Sequence, residues 1–206
     1  MELSILEHCR VLPVVTAHEV EVTVRLASTL LQGGMRAVEI TLRTEAALDS
    51  IRAVKAEVPG MLVAAGTITN PDDLHAAMAV GADFCVSPGL TESLLRAASE
   101  AGVDFVPGVA TASEIMLGMD YGYRCFKLFP AVAVGGMNLV KSLTGPFPDL
   151  RFCPTGGLNP QNFREFLALP NVICCGGSWM VADKLVNAAR WEEIEALARE
   201  AMDDGE

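Results

Sequence analysis

Short apolar runs alternate with longer amphipathic stretches along the whole chain, and this alternation constrains the fold more than any other feature. The runs are Val11–Val15, Ala37–Thr41, Leu62–Ala65, Phe84–Val86, Phe105–Pro107, Cys125–Leu128, Phe152–Pro154 and Val172–Cys175. A run this short, closed by Gly, Pro or Thr, reads as a strand buried on both faces, the usual state of a strand in a parallel sheet. A helix is expected after each, starting near Glu19, Glu45, Pro71, Thr91, Thr111, Met137, Pro160 and Ala182. Asn70 before Pro71 pairs a capping side chain with a proline at the first helical position, and Asn159-Pro160 repeats the signal. Thr91 and Thr111 each precede an acidic residue in the first turn, which suits the helix dipole. Gly33-Gly34, Gly81 and Gly102 read as helix stops.

Eight strand–helix units in 206 residues predict an α/β protein, a compact (β/α)8 TIM barrel forming a single domain over 1–206. A doubly wound open sheet shares the alternation, but the Gly-rich dinucleotide loop expected after its first strand is missing. No linker rich in Pro, Ser or charge divides the chain, and the tail Asp203–Glu206 reads as frayed.

Hydrophobic residues make up 51% of the chain, yet no apolar stretch reaches the roughly 18 residues a membrane span needs. The surplus fits strands buried on both faces or a subunit interface. The net charge of −11 argues against a nucleic-acid partner, since phosphate backbones demand clustered Lys and Arg. It leaves room for a local basic pocket holding a small anion. Cys9, Cys85, Cys125, Cys153, Cys174 and Cys175 show no C-x-x-C spacing, and most sit in apolar runs. They read as buried thiols in a reducing compartment. With no basic segment leading into an apolar core at the N-terminus, the protein is expected in the cytoplasm. No HExxH, P-loop or metal-ligand cluster is present, so neither a metal nor a cofactor is expected. His8, His18 and His75 read as surface or loop residues, and no G-x-S-x-G elbow suggests a serine hydrolase.

Charged residues inside the apolar runs are the candidates for chemistry. Lys127 lies in Cys125-Phe126-Lys127-Leu128-Phe129-Pro130-Ala131, where an unpaired ammonium would be costly to desolvate. Burial is expected to depress its pKa, and a neutral amine forms Schiff bases with carbonyl substrates. The alternative is a lysine that snorkels from a strand end. Glu39 interrupts the second run, sharing a face with Ala37 and Thr41, as Lys127 does with Cys125 and Phe129. If both point inward they meet near the carboxyl ends of the strands, as catalytic groups or as a structural ion pair. Arg43 just past the second run can grip a carboxylate, and Thr67 past the third can add a hydroxyl. Read blandly, Arg43 is a solvated loop residue paired with Glu45, and Thr67 begins a turn or caps a helix. The last two runs end in Thr155-Gly156-Gly157 and Gly176-Gly177-Ser178. Glycines there let backbone N–H groups approach an anion, in the two loops that bind phosphate in many barrels, or else make tight turns.

Together these segments resemble the 2-keto-3-deoxy-6-phosphogluconate (KDPG) aldolase family, whose bifunctional members also handle 4-hydroxy-2-oxoglutarate (KHG). The resemblance runs over nearly the whole chain. It is carried by Val38-Glu39-Ile40-Thr41-Leu42-Arg43-Thr44, Ala65-Gly66-Thr67, Ser87-Pro88-Gly89, Phe126-Lys127-Leu128-Phe129-Pro130-Ala131 and Arg151-Phe152-Cys153-Pro154-Thr155-Gly156-Gly157. It implies a homotrimer of barrels and a metal-free Schiff-base aldolase acting on a small 2-keto acid. The resemblance makes Lys127 the imine-forming lysine and Glu39 the proton shuttle. Arg43, Thr67 and Thr155 would hold the carboxylate of the pyruvate moiety, with Phe129 and Pro88 lining the pocket. Gly156, Gly157 and Ser178 would meet the phosphate. Two positions depart from the family pattern: Leu128, where an aromatic residue is common, and Thr16-Ala17-His18, where a Lys or Arg is common. Other readings are a galactonate-epimer aldolase or oxaloacetate decarboxylase, a non-catalytic phosphosugar-binding barrel, and a phosphosugar isomerase.

Overall fold

A computed structural model describes residues 4–7 and 9–203; the expectations for His8 and for the tail past residue 203 fall outside these described residues. In chain order the elements are α1 (Ser4–Glu7), β1 (Val11–Thr16), α2 (Val20–Gln32), β2 (Ala37–Thr41), α3 (Ala47–Glu57), β3 (Leu62–Gly66) and α4 (Pro71–Ala79). There follow β4 (Phe84–Val86), α5 (Glu92–Ala101), β5 (Phe105–Val106), β6 (Gly108–Val109), α6 (Ala112–Asp120), β7 (Cys125–Leu128) and α7 (Gly136–Leu143). The chain ends with β8 (Arg151–Pro154), α8 (Phe163–Leu167), β9 (Cys175–Gly177), a 3-10 turn at Trp179–Val181, α9 (Asp183–Asn187) and α10 (Trp191–Met202).

The fold is α/β, built on curled parallel sheet. Six strands pair in the order β5-β4-β3-β2-β1-β9, and three in the order β6-β7-β8. Every ladder is parallel. The expected fifth strand is divided in two because Pro107 has no N–H to give a ladder. The next N–H, that of Gly108, donates instead to the buried Ser87 hydroxyl at 3.1 Å. Pro107 still accepts from the Lys127 N–H at 3.0 Å, which holds β7 against the break.

The last strand lies further along than the run Val172–Cys175. Phe152 bridges Val172 and Thr155 bridges Gly176, so three steps on one side face four on the other. That extra residue is a bulge. It carries Cys174 into the same packed cluster as Cys153 and leaves glycine at the strand's upper end.

Side chains divide between two packed regions, as period-2 alternation requires. Leu12, Ala37, Ala64, Phe84, Cys125 and Cys153 belong to an inner cluster. Val11, Val38, Ile40, Val63, Phe126 and Phe152 pack in the larger one with the helices.

The helix signals hold at three N-termini. Asn70 Oδ1 accepts from the Asp73 N–H at 2.9 Å, and Thr91 Oγ1 from the Leu94 N–H at 3.3 Å. Thr111 and Glu114 form a capping box. The helix expected near Pro160 starts instead at Phe163. Asn159 is spent on a turn, its Oδ1 accepting from the Gln161 N–H at 2.9 Å and its N–H donating to Asn162 Oδ1 at 2.9 Å. No capping signal marks the start of the long α10, because Arg190 there supplies no capping side chain. His18 and His75 are exposed. Among the described residues no helix is long and apolar enough to cross a membrane.

Candidate active site

The two charged residues that interrupt apolar strands meet. Lys127 Nζ lies 2.9 Å from Glu39 Oε1 and 3.1 Å from Oε2, with side chains 5% and 1% exposed. So little solvent reaches the pair that neither charge could stand there alone. The lysine does not snorkel. Its Nζ is 5.5 Å from the centre of the Phe129 ring, which adds a cation–π contact.

Local structure makes the meeting feasible. Glu39 is on β2 with Ala64 opposite it on β3, and two residues further on β3 ends in Gly66. A Cβ at Gly66 would overlap the Glu39 carboxylate, so glycine is what lets that carboxylate lie across the strand end. Thr41 fixes the same end of β2 to β1, its hydroxyl donating to the Val15 carbonyl at 3.0 Å.

Above the ion pair, Arg43 is exposed and its Nε donates to Thr67 Oγ1 at 3.1 Å. Arg43 therefore pairs with Thr67 rather than with Glu45. With Nε engaged, its two Nη groups remain to grip an anion. Thr67 sits at φ 61°, in the left-handed region. A β-branched residue there is unusual, and such outliers gather at functional sites.

Val14, Arg43, Lys127, Phe129, Thr155, Gly156, Gly157, Leu158, Gly176, Gly177 and Ser178 line one cavity of about 140 Å³. Lys127, Thr155 and Gly176 are buried at its deep end, while Arg43, Gly157 and Ser178 are exposed at its mouth. Gly156 and Gly157 both have positive φ, at 98° and 82°, a turn closed to ordinary side chains and able to present backbone N–H groups to an anion. Seven of the ten residues singled out from the sequence line this cavity. Of the other three, Glu39 stands behind Lys127 and Thr67 behind Arg43. Pro88 does not line the cavity; it lies past β4 with its backbone against Gly108.

Val14, Leu158, Gly176 and Gly177 complete the wall. The glycines were visible as the end of an apolar run; Val14 and Leu158 carried no signal, since an apolar residue on a cavity wall reads like one in a core. A larger cavity, about 280 Å³, lies between β1 and the α9–α10 region, lined by residues such as His18, Asp183 and Trp191. It is lined by no lysine and by neither member of the buried ion pair. The smaller one combines an amine, a carboxylate within proton-transfer distance, a guanidinium and a glycine-lined end. That set can bind an anionic carbonyl compound and attack it.

Comparisons with known proteins agree. A profile of the KDPG and KHG aldolase family matches residues 3–197. The KHG/KDPG aldolase of Escherichia coli is 49% identical over 200 residues, covering 97% of this chain and 94% of that one. Among solved structures, the KDPG aldolase of Legionella pneumophila, with pyruvate captured at low pH as a covalent carbinolamine, has a TM-score of 0.94 at 40% identity. The match covers 96% of each chain. The Zymomonas mobilis KDPG aldolase with 3-phosphoglycerate has a TM-score of 0.91 at 39% identity, covering 97% of this chain and 93% of that one. The chain belongs to the KDPG and KHG aldolase family.

Proposed function

We propose that the protein is a metal-independent class I aldolase that cleaves KDPG to pyruvate and glyceraldehyde 3-phosphate. KHG, which gives pyruvate and glyoxylate, is the second substrate. One observation carries this reading: an amine and a carboxylate 2.9 Å apart, shut from bulk water, at the deep end of an anion-binding cavity.

Lys127 passes a proton to Glu39 and attacks the 2-keto carbon as the free amine. Glu39 returns that proton to the carbinolamine hydroxyl, water leaves and a protonated imine forms. The C3–C4 bond then breaks, its electron pair moving into the imine to give an enamine, while Glu39 takes the C4 hydroxyl proton. After the aldehyde departs, Glu39 protonates the enamine carbon, and hydrolysis releases pyruvate. A single carboxylate suffices because each transfer resets it for the next. Positioned acid–base help of this kind is worth about 10²–10⁴-fold. Arg43 grips the substrate carboxylate, held by Thr67, and Thr155 adds a hydroxyl; the anchored acid group keeps the ketone against the amine. Phe129 packs beside the pyruvate unit. Gly156, Gly157 and Ser178 take the phosphate.

The two sheets are read as one closed eight-stranded barrel and a single domain. The consecutive β5 and β6 and the bridges from β8 to the chain around β9 support that closure. The family supports a homotrimer working in the cytoplasm.

Incubation with pyruvate and borohydride tests the chemistry. The expected result is a reduced pyruvate adduct on the peptide containing Lys127, absent in Lys127→Ala, which also loses turnover. No adduct, or an adduct at another lysine, would overturn the assignment. Initial rates on KDPG, KHG, the galactonate epimer and oxaloacetate rank the substrates.

A further inference from the structure

Cys9, Cys125, Cys153 and Cys174 are packed together inside the fold, and none of them has a part in the chemistry above. One reaches the cavity wall. Cys153 is beside Lys127 across the β7–β8 ladder, and its Sγ is 3.8 Å from Thr155 Oγ1. Thr155 lines the cavity and Cys153 does not.

A hydroxyl has one hydrogen to give and two lone pairs. Within the protein, Thr155 finds an acceptor in the Cys153 carbonyl at 3.3 Å, long for an O–H bond. A donor on the oxygen would leave that hydrogen available to a better acceptor in the cavity. The thiol of Cys153 is placed to be the donor.

Building on the aldolase reading, we propose that Cys153 is a positioning residue. Its S–H donates to Thr155 Oγ1 and so turns the Thr155 hydroxyl hydrogen towards the carboxylate of the bound 2-keto acid. Cys174 packs in the same interior cluster. Interaction with Cys174, aided by the Lys127 ammonium and opposed by burial, draws the Cys153 thiol below its ordinary value, and a more acidic S–H is a stronger donor.

Steady-state cleavage of KDPG by a small set of variants tests the role. Thiols are weak donors, so Cys153→Ala is expected to raise KM about threefold with kcat within about twofold. Cys153→Ser, which keeps a donor, restores KM. Cys125→Ala removes an equal volume from the same interior away from Thr155 and leaves KM unchanged. In a Thr155→Val background, where no hydroxyl remains to orient, Cys153→Ala adds nothing. Should Cys153→Ala not accumulate as folded protein, Cys153→Val fills the space without a donor and is read in the same way. An equal rise in KM from Cys125→Ala, or a full effect of Cys153→Ala in the Thr155→Val background, would show packing alone and overturn the proposal. An unchanged KM with pyruvate trapping intact overturns the role of Cys153 only. Failure of trapping in the unmodified protein overturns the aldolase reading itself.

Discussion

Glu39 is asked to do two things, to neutralise a buried ammonium and to move protons, and substitution separates them. Glu39→Gln keeps the size and loses the proton acceptor. It is expected to cut kcat by about 10²–10⁴-fold while borohydride with pyruvate still labels Lys127, more slowly. A kcat within a few-fold of the parent would remove Glu39 from the proton path. Gly66→Ala tests the same carboxylate from the far side. The added methyl meets the Glu39 carboxylate, and a displacement of about 1 Å at a reacting group can cost about 10²-fold. Turnover should fall by at least tenfold with the circular dichroism unchanged; normal turnover would mean that Glu39 tolerates displacement. Lys127 and Glu39 were legible in the sequence because a charge inside an apolar strand has to be explained. Gly66 was legible only as the end of a strand, since its purpose lies in a side chain 27 positions away in the chain. The left-handed backbone of Thr67 left no trace at all, because threonine does not advertise it.

Elements were legible where a local signal exists and obscure where tertiary contacts decide. The capping residues Asn70, Thr91 and Thr111 set their helices by bonds within four residues, so the sequence displays them. The bulge before β9 depends on what the neighbouring strand offers, and α10 on the surface it covers. The capping box can be checked directly. Glu114 Oε2 accepts from the N–H groups of Thr111 and Ala110 at 2.8 and 2.7 Å, and Thr111 Oγ1 accepts from the Glu114 N–H at 3.3 Å. Thr111→Ala should cost about 1 kcal/mol and lower Tm by about 2–4 °C for a chain of this size. An unchanged Tm would mean that packing of α6 alone fixes its start. No residue of α6 lines the cavity, so kcat should stay close to that of the parent.

At the scale of the whole molecule, thiols in both packed regions tie stability to pH. All six cysteines are reduced and buried. Burial pushes Cys9 up to about 11, with Cys153 adding to it, and Cys85 up to about 12. Cys125 and Cys175 are raised further, again chiefly by burial, and Cys174 by its bond to Cys153 and by burial. In the unfolded chain each ionises near the ordinary thiol value of 9.0. A raised folded-state pKa means that the stabilisation is complete below about pH 9 and drains away as pH rises towards 11–12. Above about pH 9 the unfolded state gains by ionising these thiols while the folded state keeps them neutral, so stability falls as pH rises, and Cys153, drawn the other way, offsets part of the loss. Urea unfolding at pH 7.5, 8.5, 9.5 and 10.5 should give a free energy that is flat at first and then falls steeply. Cys85→Ala, though less stable at pH 7.5, should show a shallower fall by about one thiol's share. An equally steep fall in that variant would place the alkaline loss on tyrosines and lysines, Tyr123 first among them, since burial raises it to about 12.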